Sequence, residues 1–148
     1  MTVDGTTPTR KSKSVYMIND DAVLNPVWRR IPSIFIQKNC ERAQITKYDV
    51  NGEYKLHSDA FDPETLKKQS KQRDGTFLIY LNDVAKGGET DFPRLGKRIR
   101  PRMGTALWFR PSKNGQIDEA LLHAALPLKE GVKYIVQIWS RGNDGEKK

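Results

Sequence analysis

This chain has only two histidines. The first, His57, stands two positions before a carboxylate, Asp59, in the stretch GEYKLHSDAF, residues 52–61. In an extended strand, residues two apart point to the same face, so an imidazole and a carboxylate can be offered to one point. The second histidine, His123 in LLHAALP, is a candidate third group. Two imidazoles and one carboxylate on one face of an octahedron leave three positions open, the arrangement of mononuclear non-haem Fe(II) oxygenases. Lys133 follows His123 across the turn PLKEG and is a candidate partner for the far carboxylate of a dicarboxylate chelating such a metal. The residue types alone leave a plainer reading open. With 18 acidic and 26 basic residues in the chain, an H-x-D and a lysine also fit an ordinary strand histidine and a solvated cation.

The elements that must position these groups are mostly strands. RAQITKYDV, residues 42–50, alternates like a half-buried strand, Asn51-Gly52 is a turn signal, and EYKLHSD continues as a second strand. TFLIYLNDV (76–84), a strand after Gly104, ALLHAALPL (120–128) and VKYIVQIWSR (132–141) complete the series. The stretch 60–75 is polar and lysine-rich and reads as a mobile connection beside the candidate site. Upstream, NDDAVLNPVWRRIPSIFIQKN, residues 19–39, has capping residues and helical spacing interrupted by Pro26 and Pro32, which predicts two short helices or a kinked one. The organisation expected is a tail or edge segment at 1–14, one catalytic domain at 15–141 and a loose tail at 142–148. The fold class expected is mainly β with N-terminal helices (α+β), a sandwich or barrel with helical backing.

Composition narrows the function. The 148 residues suit one domain, with 36% hydrophobic and 30% charged residues. No apolar run approaches the length of a membrane span. The N-terminus MTVDGTTPTRKSKS carries no apolar stretch behind its charges, so no secretory signal is expected. The single cysteine, Cys40, cannot form an internal disulfide, and a cytoplasmic setting is the expectation. The net charge of +8 suits either an acidic partner or a solvated basic surface.

Ordered motifs from about residue 10 to 141 resemble the catalytic domain of the prolyl 4-hydroxylase family of 2-oxoglutarate/Fe(II) dioxygenases. They are YDVNGEYKLHSD (48–59), RDGTFLIYLNDV (73–84), GGETDFP (87–93), PRMGTALWF (101–109) and the series His123, Pro127, Gly131, Lys133, Trp139. The resemblance implies a double-stranded β-helix (jelly-roll) core. It implies His57, Asp59 and His123 as Fe(II) ligands, with 2-oxoglutarate and O2 as co-substrates and ascorbate as a candidate reductant. Lys133 would meet the distal carboxylate of 2-oxoglutarate, with Tyr48 and Thr90 as hydrogen-bond donors. Tyr54, Arg73, Glu41 and Trp139 fall where the family faces a proline-containing peptide, and each also fits plain packing or a surface ion pair. The implied reaction converts 2-oxoglutarate and O2 to succinate and CO2 and hydroxylates a C–H bond, most simply of a peptidyl proline. The short chain, without the family's separate peptide-binding domain, resembles the compact microbial or viral type. Two rivals remain. A nucleic-acid demethylase of the same chemistry would bind the distal carboxylate through arginine well after the second histidine, and would interleave aromatics with its basic residues. A non-catalytic β-domain for an acidic partner would have no use for the His–Asp–His set with Lys133.

Overall fold

The run from Lys133 to Gly142 forms the longest strand of the fold, β14, and its alternation organises the rest. The computed structural model describes residues 2–4, 7–16 and 39–142. Before β14 come β1 (Thr2–Asp4), β2 (Lys13–Tyr16), β3 (Gln44–Tyr48), β4 (Tyr54–His57), α1 (Pro63–Leu66), β5 (Gln72–Tyr80), β6 (Lys86–Gly87) and β7 (Thr90–Phe92). They are followed by β8 (Lys97–Ile99), β9 (Ala106–Phe109), β10 (Ser112–Lys113), β11 (Gln116–Ile117), β12 (His123–Ala125) and β13 (Leu128–Glu130). The major sheet has the order β1-β2-β3-β14-β5-β9, and a minor sheet has the order β4-β12-β7-β8. Their antiparallel neighbours are far apart in sequence, β14 lying between β3 and β5, as the double-stranded β-helix requires. The helices expected at 19–39 fall on residues outside those described, apart from Asn39. Among the described residues no helix is long and apolar enough to cross a membrane.

The polarity of the major sheet is reversed from the simplest alternation. Register sets Tyr48 opposite Lys133 and Thr46 opposite Ile135. On the other flank, Tyr80 pairs with Ile135, Leu78 with Gln137 and Thr76 with Trp139. These residues share the face turned to the minor sheet, so buried Thr46, Thr76, Lys133 and Gln137 point inward. The opposite face carries Ala43, Phe77, Val136 and Ile138, a buried apolar cluster joined by Ile45 and Ile79. A second cluster of Tyr48, Leu78, Tyr80, Leu128 and Ile135 closes one end of the space between the sheets.

The turns follow their residues. Asn51 takes a positive φ of 67°, and a Cβ at Gly52 would meet the Asp49 carbonyl oxygen at 2.7 Å, so the N-G pair suits the link between β3 and β4. The 60–75 connection departs from the mobile loop expected. Asp62 caps α1 by accepting from the Thr65 N–H, β5 begins at Gln72, and the Gln72 amide accepts from the Phe61 N–H at 2.7 Å and donates to the Phe61 carbonyl at 2.9 Å. The Phe61 ring lies under the guanidinium groups of Arg73 and Arg141, at 4.7 and 4.6 Å. Of these anchors Gln72 and Arg73 lie at the far end of the same stretch and Arg141 comes from β14, and local composition shows neither the closure of the loop nor the contact with β14.

Candidate metal centre

His57 ends β4 and His123 opens β12, and the two are directly paired across the minor sheet. Asp59 lies beyond the end of β4, in a bend, and not on the strand that the H-x-D pattern suggested. The bend carries its carboxylate across the gap, where Thr76 of β5 donates to Oδ2 at 2.9 Å. One carboxylate thus ties the minor sheet to the major one. Its other oxygen, Oδ1, sits 3.4 Å from His57 Nε2 and 3.5 Å from His123 Nε2. One ligand atom from each of the three residues lies within 4.8 Å of the others, a spacing at which they can hold a metal ion.

Each imidazole is oriented in the same way. His57 Nδ1–H donates to the carbonyl of Lys55 at 2.7 Å, and His123 Nδ1–H to that of Leu121 at 3.0 Å. This tautomer leaves both Nε2 lone pairs facing Asp59. Burial pushes the His123 pKa down, favouring the neutral form that ligates metal. Burial works against charge at Asp59, but imidazolium charge at His123 and His57, in the absence of a metal, and the Thr76 hydroxyl draw its pKa below the ordinary carboxylate range, a role that a bound cation would take over. Two neutral imidazoles and an ionised carboxylate, without thiolate, are a donor set that Fe(II) accepts.

Beside this cluster is a cavity whose lining includes Tyr48, Thr90, Lys133, Ile135 and Gln137 along with both histidines. Lys133 is 1% exposed. Its ammonium donates to the Gly88 carbonyl at 2.9 Å and stands 4.2 Å from the centroid of the Tyr48 ring. Both partners are neutral, and burial pushes the lysine pKa down to about 8. The Gly88 carbonyl reaches it through a backbone with φ 71°, which glycine adopts freely. Tyr48 presents its ring to the lysine, and burial raises its phenol to about 12. The Thr90 hydroxyl makes a short hydrogen bond with the Tyr80 hydroxyl. Tyr80 is fully buried and was not singled out from sequence. Tyr80 has the same strand parity as Thr76, but only the register with β14 shows that this parity faces the cavity.

The four residues expected near a substrate divide into two groups. Tyr54 stacks on His57 with ring centroids 3.5 Å apart and planes 9° from parallel. Glu41 and Arg73 form a two-pronged ion pair, both contacts 2.7 Å, and the Arg73 guanidinium lies 4.1 Å over Trp139. Arg141, also not anticipated, adds a third contact to Glu41 at 2.5 Å. Burial raises the Glu41 pKa, and the two arginines more than offset it, so it is lowered on balance. The indole Nε1 of Trp139 is buried without a hydrogen-bond partner among the described residues.

Residues 43–141 match the family model described as the 2OG-Fe(II) oxygenase superfamily. The chain is 31% identical over 166 residues to probable prolyl 4-hydroxylase 9 of Arabidopsis thaliana, covering 98% of this chain and 58% of that protein. It is 36% identical over 146 residues to prolyl 4-hydroxylase subunit alpha-2 of Gallus gallus, covering 91% of this chain and 27% of that one. It therefore spans only part of the curated relatives it matches. Among solved structures, the viral collagen prolyl hydroxylase of Paramecium Bursaria Chlorella virus-1, in its 2OG complex, superposes with a TM-score of 0.80 at 29% identity, covering 90% of this chain and 80% of that chain.

Proposed function

The chain belongs to the 2OG-Fe(II) oxygenase superfamily and, within it, to the prolyl 4-hydroxylase family, and from that premise we propose that it hydroxylates a peptidyl proline with Fe(II) held by His57, Asp59 and His123. The carrying observation is the pairing of two features in one cavity: a three-residue donor cluster and a buried lysine that has no ion pair among the described residues, its direct contacts being the Gly88 carbonyl and the Tyr48 ring and the Glu89 carboxylate only partly offsetting its burial. A buried cation without a counter-charge is costly, and the distal carboxylate of 2-oxoglutarate would supply that charge. When bound, Fe(II) and 2-oxoglutarate supply the oxidation that places one atom of O2 on a C–H bond, with release of succinate and CO2.

The chain's own groups have separate tasks in this reading. The carbonyls of Lys55 and Leu121 hold both Nε2 atoms toward the metal position. Thr76 occupies one oxygen of Asp59 and leaves the other for the ion. Lys133 binds the distal carboxylate, and Thr90, backed by the Tyr80 hydroxyl, adds a donor. Arg73, itself held by Glu41, braces the Trp139 indole at the peptide side of the site. Tyr54 covers the open side of His57 and excludes water from it. The test is incubation of the protein with Fe(II), 2-oxoglutarate and proline-containing peptides. Succinate release with a peptide mass gain of one oxygen atom, located on proline, supports the reading. Succinate release with no oxygen on any proline points to another substrate. Absence of Fe(II)-dependent succinate release refutes it.

A further inference from the structure

One inner-facing row of β14 reads Lys133, Ile135, Gln137, Trp139, with about 7 Å between successive members. Its chemistry changes in order: a buried cation, an apolar side chain 3% exposed, an amide 8% exposed, then an indole with an unpaired N–H. Lys133, Ile135 and Gln137 all line the cavity that holds His57 and His123. Gln137 is paired with Leu78, one place inward from the Thr76–Trp139 pair, and Thr76 holds Asp59. Its amide is therefore level with the metal cluster, at the opposite end of the cavity from Lys133. No hydrogen bond within the described residues reaches this amide, which lines the open cavity and so has its donors free for a ligand there.

Resting on the co-substrate reading above, we infer that Gln137 is a positioning residue whose amide N–H donates to the metal-side carboxylate of 2-oxoglutarate. The row then matches the co-substrate group by group: lysine to the distal carboxylate, isoleucine to the methylenes, glutamine to the keto-acid end. Gln137 contributes no metal ligand and no reacting atom. Its role is to fix which oxygen of the keto acid turns to the ion, and to satisfy the charge that remains on the other.

The inference is tested with Mn(II)-loaded protein and 2-oxoglutarate by calorimetry, which needs no turnover. Gln137→Leu should weaken 2-oxoglutarate binding by about 10- to 100-fold, the value of one hydrogen bond to a charged group. Gln137→Glu, nearly isosteric but carrying an acceptor and a negative charge, should weaken it more. Mn(II) affinity without 2-oxoglutarate should remain that of wild type for Gln137→Leu, as should the melting temperature. If that variant does not fold, Gln137→Met keeps the length of the side chain and gives the same reading. Wild-type affinity in the Leu (or Met) and Glu variants, with loss in Lys133→Met, overturns the role of Gln137 and leaves the co-substrate pocket standing. Equal weakening of Mn(II) and 2-oxoglutarate also overturns it, since that is the mark of a merely structural side chain. Failure of the wild-type Mn(II) protein to bind 2-oxoglutarate overturns the co-substrate reading itself and this inference with it.

Discussion

Replacing Lys133 with methionine should move two measurements in opposite directions. The lysine is 1% exposed and has a carbonyl and an aromatic face as neighbours. Burial lowers its pKa from 10.5 to about 8, so below pH 8 the folded chain carries a burial cost of about 3 kcal/mol. Methionine fills similar space without charge. The ligand-free variant should therefore melt higher at neutral pH, by up to about 10 °C. The same substitution removes the partner of the distal carboxylate, at a cost of about 3–5 kcal/mol, so 2-oxoglutarate affinity should fall at least about a hundredfold. The pH dependence has a definite sign. Between pH 8 and 10.5 the unfolded lysine keeps the proton that the folded one has lost, so wild-type stability should gain from this group as pH rises through that window. Over the same window 2-oxoglutarate binding should weaken, because the ammonium that receives the carboxylate disappears, while Lys133→Met should lack both trends. The assay is thermal melting of the Mn(II)-loaded protein with and without 2-oxoglutarate from pH 7 to 10. A variant that melts lower than wild type without ligand, yet gains the same protection from 2-oxoglutarate, would refute the reasoning.

Alanine at His57, Asp59 or His123 should abolish binding of one Fe(II) or Mn(II) per chain and stop succinate formation, with the far-UV circular dichroism unchanged; retained stoichiometric binding in all three would reject the cluster. Thr76→Val removes the hydroxyl that fixes Asp59 Oδ2 and should weaken metal affinity about 10- to 100-fold, read by competition with a chelator. Phe61→Ala removes the ring held by Arg73 and Arg141 while leaving the Gln72 bonds to the backbone of residue 61, so trypsin should cut at Lys67, Lys68 and Lys71 faster than in wild type. Equal rates would show that Phe61 is not the anchor.

The His57–Asp59–His123 cluster was legible because its chemistry is scarce: two histidines in the whole chain, one of them in H-x-D, leave few ways to assemble such a set. Lys133 was legible from its place after His123 and from the ordered motifs around it. Tyr80 and Gln137 were hidden for the same reason as each other. They sit in the runs TFLIYLN and YIVQIWS, where the apolar residues of one face mask the polar residues of the other. Only the register with β3 and β5 shows which parity faces the cavity. Asp59 stands beside the two histidines, but in a bend and not on the strand expected, because the pull of Thr76 is a contact between sheets. The anchoring of Phe61 escaped notice for the same physical cause: Arg141 is distant in sequence, and lysine content says nothing about a ring held between two guanidinium planes.

Both imidazoles of the cluster are aimed by peptide carbonyls two residues before them, those of Lys55 and Leu121. A peptide carbonyl is supplied by every amino acid, so no particular side chain has to be kept at either position for the nitrogens to point correctly. Positions 55 and 121 can drift, through charge or size, while the tautomers persist. The aim of the cluster is written into backbone geometry, a strand at Lys55 and a 3-10 turn at Leu121, and is therefore far harder to lose by point substitution than an orientation borrowed from a neighbouring carboxylate.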